Sequence, residues 1–229
     1  MLQENFAPDG GGSLAGEVGS RLGYRVVEAE LGRVRLLEED PALARPGGPA
    51  SWGPRLGRLT GRRALALESV LARSRRPSRR PATAGSWGIA LLSRLPLRRV
   101  EVVDLVPLRR DPTRRRAILA ELESGLLVAG THLAHLEDGS PRQMRQLARL
   151  LAGSGPRCLT GDMNSWSLPL LALLPGWRKA VRGPTWPAPH PHSQIDHLLV
   201  AGGVVAARGE VSRPLGSDHR AVRAELRTG

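Results

Sequence analysis

Short apolar runs dominate the second half of the chain. Gly88 to Leu92, Val100 to Val106, Arg116 to Leu122 and Leu126 to His132 are rich in β-forming residues and bounded by turn residues, so each is predicted to be a strand. Arg157 to Gly161, His197 to Val200, Val204 to Val211 and Ala221 to Leu226 have the same character. One stretch breaks the pattern: Met144, Leu147, Leu150 and Leu151 recur at helical spacing, which predicts a helix over Pro141 to Ala152 with Ser140 as N-cap and Pro141 at N1. Near the start, Ser13 to Leu22 follows a Gly-rich turn as a short helix, and Tyr24 to Glu30 alternates apolar and polar residues as a half-buried strand. Leu31 to Ala84 carries Pro41, Pro46, Pro49, Pro54, Pro77 and Pro81 among many glycines and is expected to be mostly loop, with one helical stretch near Arg62 to Arg73. Strands in pairs with occasional helices predict an α/β sandwich, two packed sheets with helices outside.

The 229 residues suit one domain, expected over 1–229 with 31–84 as its poorly patterned segment. Cys158 is the only cysteine, which excludes an internal disulfide. The opening segment has neither a basic region followed by an apolar one, as a signal peptide would, nor does any apolar run approach the roughly 20 residues of a membrane span. A cytoplasmic protein is expected. The formal net charge of +13 is almost all arginine, since Lys179 is the only lysine. Arginine's planar fork suits phosphate, so an anionic partner such as nucleic acid is one reading, and a compositional bias toward Arg, Ala, Gly and Pro is the other. Phe6, Tyr24 and five tryptophans are too few aromatics for a dedicated single-strand platform.

Candidate chemistry gathers in four short signatures: Gly-Thr-His-Leu (Gly130 to Leu133), Gly-Asp-Met-Asn (Gly161 to Asn164), Ile-Asp-His (Ile195 to His197) and Ser-Asp-His (Ser217 to His219). Asp162 and Asn164 follow a strand, where extended geometry would send both side chains from one face. There a carboxylate can hold a metal or orient water and an amide can donate to a phosphate oxygen, although the same residues make a good turn. His132 closes a strand and reads as a donor to phosphate or leaving oxygen, or as a structural histidine. His135, His190 and His192 read as surface residues. Asp196 and His197 face opposite ways in a strand, and the apolar residues after His197 make it the one to be packed. Asp196 is then expected to orient His219, fixing its tautomer and leaving the second nitrogen to take a proton from water. Asp218 is left near a metal. Carboxylates and an amide without cysteine favour Mg²⁺ or Mn²⁺ over zinc.

Together these motifs resemble the endonuclease/exonuclease/phosphatase superfamily, whose fold is DNase-I-like. Gly88 to Arg94 is similar to its Gly-Asn-Ala-Ile-Leu-Ser-Arg segment, with Ile89 where asparagine is common, and Leu2-Gln3-Glu4 looks like its Leu-Gln-Glu. The resemblance implies a four-layer α/β/β/α sandwich and Mg²⁺-dependent hydrolysis of phosphodiesters or phosphomonoesters. It makes Glu4 a metal ligand, places Asp218 near the metal, puts His132 and Asn164 against the phosphate, gives Asp162 the attacking water and pairs Asp196 with His219 as base. Ahead of Leu-Gln-Glu the family carries a first strand with an active-site asparagine, and a helix; neither precedes Leu2 here. An N-terminally shortened sandwich is expected, with a true start upstream. The competing expectation, from that omission and the basic run Arg73, Arg75, Arg76, Arg79 and Arg80, is a catalytically impaired, arginine-rich module that binds polyanions.

Overall fold

The computed structural model describes residues 1–37 and 82–228. The chain divides into a larger unit, Met1–Val34 with Gly85–Gly229, and a smaller one, Arg35–Ala84. The candidate helix at 62–73 and the basic run at 73–80 lie outside the described residues.

In chain order the larger unit runs β1 (Leu2–Pro8), α1 (Leu14–Leu22), β2 (Arg25–Leu37), β3 (Ala82–Ser93), β4 (Leu97–Asp104), β5 (Arg116–Leu122), β6 (Leu127–His132), α2 (Ser140–Leu150) and β7 (Arg157–Asp162). It continues with α3 (Ser167–Ala172), β8 (Arg178–Lys179), β9 (Asp196–Ala201), β10 (Val205–Val211) and β11 (Val222–Arg227), and β2 and β3 extend into the smaller unit. Every strand expected from alternation is present, with ends shifted by a few residues. The segment from Leu31 departs from expectation at both described ends, where β2 continues to Leu37 and β3 begins at Ala82, because two strands paired in one sheet override local proline and glycine density. Helix α1 has the expected start, since the Ser13 hydroxyl accepts from the Gly16 N–H at 2.9 Å, and it ends on Gly23 at φ 68°. Helix α2 is capped one residue earlier than expected: Gly139 at φ 106° takes the N-cap position without a side-chain bond, and Ser140 is buried inside the first turn.

Among the described residues the strands form three sheets, in the orders β1-β3-β2, β10-β11 and β4-β5-β6-β7-β9-β8. The six-stranded sheet is apolar on both faces. On one, Ile118, Ala120, Cys158 and Val200 pack with Ala29, Leu31, Ile89 and Leu91 of β2 and β3. On the other, Ala117, Ala129, Leu159 and Leu199 pack with Met144 and Leu147 of α2 and Leu170 of α3. Adjacent residues such as Ala117 and Ile118, or Leu199 and Val200, serve opposite layers, which is the period of two read from the sequence. With α1 over the β1 side, this is the four-layer α/β/β/α sandwich. Among the described residues, no helix is long and apolar enough to cross a membrane.

Candidate active site

Three of the expected residues stand in one row across the large sheet. Parallel pairing of β6 with β7 sets His132 beside Asp162, and antiparallel pairing of β7 with β9 sets Asp162 beside Asp196. Each is the end residue of its strand, where the sheet stops and loops begin. All three are nearly buried, with relative exposures of 6%, 4% and 9%.

The turn after Asp162 fixes the next member. Met163 is buried among the helices and gives its N–H to Ile195 O at 2.9 Å, which carries the pairing with the β9 segment one residue beyond Asp162. Asn164 instead adopts φ 44°, and its N–H closes back on Asp162 Oδ1 at 2.8 Å. The turn reading of Gly-Asp-Met-Asn therefore holds, and the shared extended face expected for Asp162 and Asn164 does not. The Asn164 amide donates to Leu133 O at 2.9 Å, which ties it beside His132 and leaves its second N–H uncommitted. Gly161 has to be glycine here: at φ 140°, a Cβ would lie 1.9 Å from Thr131 O.

Strand alternation separates Asp196 from His197 as expected. His197 is fully buried and donates from Nε2 to Ser165 O at 2.9 Å, so it anchors the loop after Asn164. Asp196 turns toward the site, where its Oδ2 accepts from His219 Nδ1 at 2.9 Å. His219 arrives on the connection between β10 and β11, and its own N–H is held by Ser217 Oγ at 3.1 Å. His135, His190 and His192 are exposed, as expected.

Electrostatics follow from this crowding. Burial, then the neighbouring Asp196 carboxylate, push the Asp162 carboxyl up to about 7. Burial, then the Arg115 guanidinium, push the His132 imidazole down to about 3. For His219, burial opposes the charge, but the Asp196 hydrogen bond and charge, helped by Asp162 and Asp218, outweigh it and raise the imidazole to about 9.

One ligand atom each from Asp162, Asp196 and His219 lie within 4.8 Å of one another. Two carboxylates this close, one with a sharply raised pKa, form a donor set suited to a hard divalent cation. Neither residue expected as a metal ligand belongs to that cluster. Glu4 is exposed at φ 51°, where the register of β1 against β3 slips between Leu2 and Asn5 and turns the side chain to solvent. The Asp218 side chain is 73% exposed, with Oδ2 3.9 Å from His219 Nε2.

Residues that sequence reasoning did not single out surround His132. Trp87 of β3 meets its ring edge-on at 5.7 Å, Arg115 lies over the Trp87 ring at 5.7 Å, and the guanidinium is bound to buried Asp111 at 2.8 Å. Arg115 also donates to His132 O at 3.4 Å. Its place among Arg114, Arg115 and Arg116 hid it, because three arginines in a row read alike until the strand decides which one turns inward.

Comparisons with solved structures place the fold. An endonuclease/exonuclease/phosphatase from Beutenbergia cavernae is similar over 93% of this chain at 21% identity and a TM-score of 0.57, and the chain spans 65% of that protein's length. An endonuclease/exonuclease/phosphatase from Bacteroides vulgatus is similar over 64% of this chain and 72% of its own, at 16% identity and a TM-score of 0.53. A functionally unknown conserved protein from Enterococcus faecalis is similar over the same shares, at 16% identity and a TM-score of 0.50. A search of curated proteins found no match. The model of the endonuclease/exonuclease/phosphatase family matches residues 7–219, and the chain belongs to that family.

Proposed function

We propose that the protein is a divalent-metal-dependent phosphoesterase that hydrolyses phosphodiester or phosphomonoester bonds by water attack, with His219 as the base. The observation that carries this reading is the hydrogen bond between His219 Nδ1 and Asp196 Oδ2, made directly beside Asp162. With Nδ1–H committed to a carboxylate, the tautomer is fixed and Nε2 is the atom left to accept a proton from water. Asp162, with Oδ1 occupied by the Asn164 N–H, has Oδ2 to orient that water. His132 is neutral and can give one N–H to a phosphate or leaving-group oxygen, and Asn164 has a free amide hydrogen for another.

Asp162 and Asp196 are the carboxylates that would hold Mg²⁺ or Mn²⁺, with Asp218, beside His219 Nε2, as a further ligand from the exposed side. A bound cation would polarise a phosphate oxygen and offset the carboxylate field that keeps His219 protonated. The arginine-rich composition and net charge of +13 favour a polyanionic substrate, nucleic acid among them.

The test is release of 4-nitrophenol from bis(4-nitrophenyl) phosphate and from 4-nitrophenyl phosphate, with and without Mg²⁺. Hydrolysis that requires the metal and collapses in both Asp162→Ala and His219→Ala supports the reading. Rates untouched by either substitution end it.

A further inference from the structure

We propose that Thr185 is a positioning residue that aligns Asp196 with His219 by accepting backbone hydrogen bonds from both of the segments that carry them. This rests on the reading of Asp196 and His219 as the base pair of a phosphoesterase. The two residues are 23 apart, one opening β9 and the other on the loop before β11, so their 2.9 Å contact needs something that sets the segments against each other. Thr185 is fully buried, and its Oγ1 accepts the N–H groups of Ile195 and of Asp196, each at 3.2 Å. Its carbonyl accepts the N–H of Arg220, the residue after His219, at 2.8 Å.

The surrounding chain makes this node rigid. Thr185 N–H and Trp186 N–H both go to Ser193 O, at 2.8 and 3.0 Å, and Ser193 N–H returns to Trp186 O at 3.0 Å, closing 185–193 as a loop on its own backbone. The same loop reaches the His219 segment again, since Ala188 N–H donates to Asp218 O at 2.6 Å and Arg220 Nε donates to Ala188 O at 2.8 Å. Thr185 is the residue in this loop that touches the Asp196 side through its side chain and the His219 side through its backbone. A hydroxyl is required at that point because two backbone N–H groups converge on it, that of Asp196 buried and that of Ile195 partly so, and valine, with nearly the same shape, offers them no acceptor.

Thr185→Val and Thr185→Ser separate the hydroxyl from its shape. The first readout is the downfield proton NMR resonance of the His219 Nδ1–H held by Asp196, which depends on the pair alone and needs no substrate. The second is Mg²⁺-dependent hydrolysis of bis(4-nitrophenyl) phosphate. Thr185→Ser is expected to keep the resonance and the rate. Thr185→Val is expected to lose or broaden the resonance and to lower kcat about ten- to a hundred-fold with KM changed less than about twofold, as displacement of a base rather than loss of binding requires. Should Thr185→Val fail to fold by circular dichroism, Thr185→Ala, which deletes the same acceptor without adding bulk, is read in the same way. A valine variant with wild-type resonance and wild-type kcat overturns the proposal, and so does equal damage from serine and valine, which would assign the role to the methyl group. If the unsubstituted protein hydrolyses neither phosphate ester, the phosphoesterase reading fails, while the resonance in the three proteins still decides for or against Thr185.

Discussion

His132 and Asp162 end neighbouring parallel strands with Nε2 3.5 Å from Oδ2, yet burial drives each toward its neutral form. Their separation is that of an ion pair, but an imidazole lowered to about 3 and a carboxyl raised to about 7 are not simultaneously charged at any pH where the protein works. The contact is long for a charge-assisted hydrogen bond, which agrees with the neutral description. Beside His132 there is therefore a carboxyl whose proton sits near the edge of neutrality.

Binding of Mg²⁺ has to displace that proton. Because the Asp162 pKa is raised to about 7, the site is largely protonated below that value and ionised above it. Affinity is expected to climb by up to about tenfold per pH unit as pH rises toward 7, and to go on climbing more gently toward about 9, where His219 gives up the proton that the cation repels. Isothermal titration with MgCl₂ between pH 5.5 and 8.5 measures this. A flat profile would remove Asp162 from the metal site.

Asp162→Asn is expected to stabilise the metal-free protein while abolishing hydrolysis. A folded-state carboxyl with a raised pKa gives its stabilisation at low pH and loses it as pH rises through about 7, since the folded chain then holds a buried charge next to Asp196. Asparagine keeps the acceptor for the Asn164 N–H without that charge. At pH 8 with a chelator, thermal or urea unfolding should place the variant on the order of 1 to 3 kcal/mol above the parent. An equal or lower stability at pH 8 contradicts the electrostatic account.

Asp196→Asn leaves a hydrogen-bond acceptor for His219 and takes away the charge. Hydrolysis is expected to fall about a thousandfold or more, on the precedent of triads in which the same exchange unsettles the tautomer. The His219 imidazole, raised to about 9 in the metal-free protein against the burial that opposes it, should move back toward its ordinary range. Heteronuclear NMR titration of the ring nitrogens follows it directly. An unmoved titration would mean that Asp162 and Asp218 hold the proton on their own.

Acid lability should be traceable to His197. Its pKa is lowered by burial, so below about 6.5 the unfolded chain takes a proton that the folded chain refuses, and stability drops as pH falls. The slope for a single histidine is at most about 1.4 kcal/mol per pH unit. His197→Gln retains a donor for Ser165 O and removes the titration. Urea unfolding at pH 5, 6 and 7 should give a variant with a shallower loss than the parent. The opposing contribution of Asp162 is common to both proteins and cancels in the difference. Parallel curves would refute the assignment.

Much of this was readable in advance because sheets write themselves at a period of two. The alternation at Asp196 and His197 predicted which would face inward to the core, and His197 is indeed fully buried. Asp196 with His219 was expected as a pair from chemistry alone and is in contact at 2.9 Å. Asn164 was harder, because an extended register and a tight turn use the same residues, and only the positive φ of Asn164 and its N–H bond back to Asp162 Oδ1 decide between them. Glu4 was harder still, since a register slip in β1 turns it to solvent and no local pattern announces a bulge. Thr185 acts through partners 10 to 35 residues away in the chain and Arg115 reaches His132 from 17 residues away, and such contacts exist only once the sheet has formed.

The row His132, Asp162, Asp196 has a consequence for how such a protein can change. Its members are set by strand pairing inside a buried sheet, where a slip of one residue would send every side chain of a strand into the opposite layer. The loops that follow each strand end are under no such constraint and can lengthen, shorten or acquire new side chains without moving the row. Choice of substrate is thus free to drift at the rim, while the chemistry is inherited with the sheet.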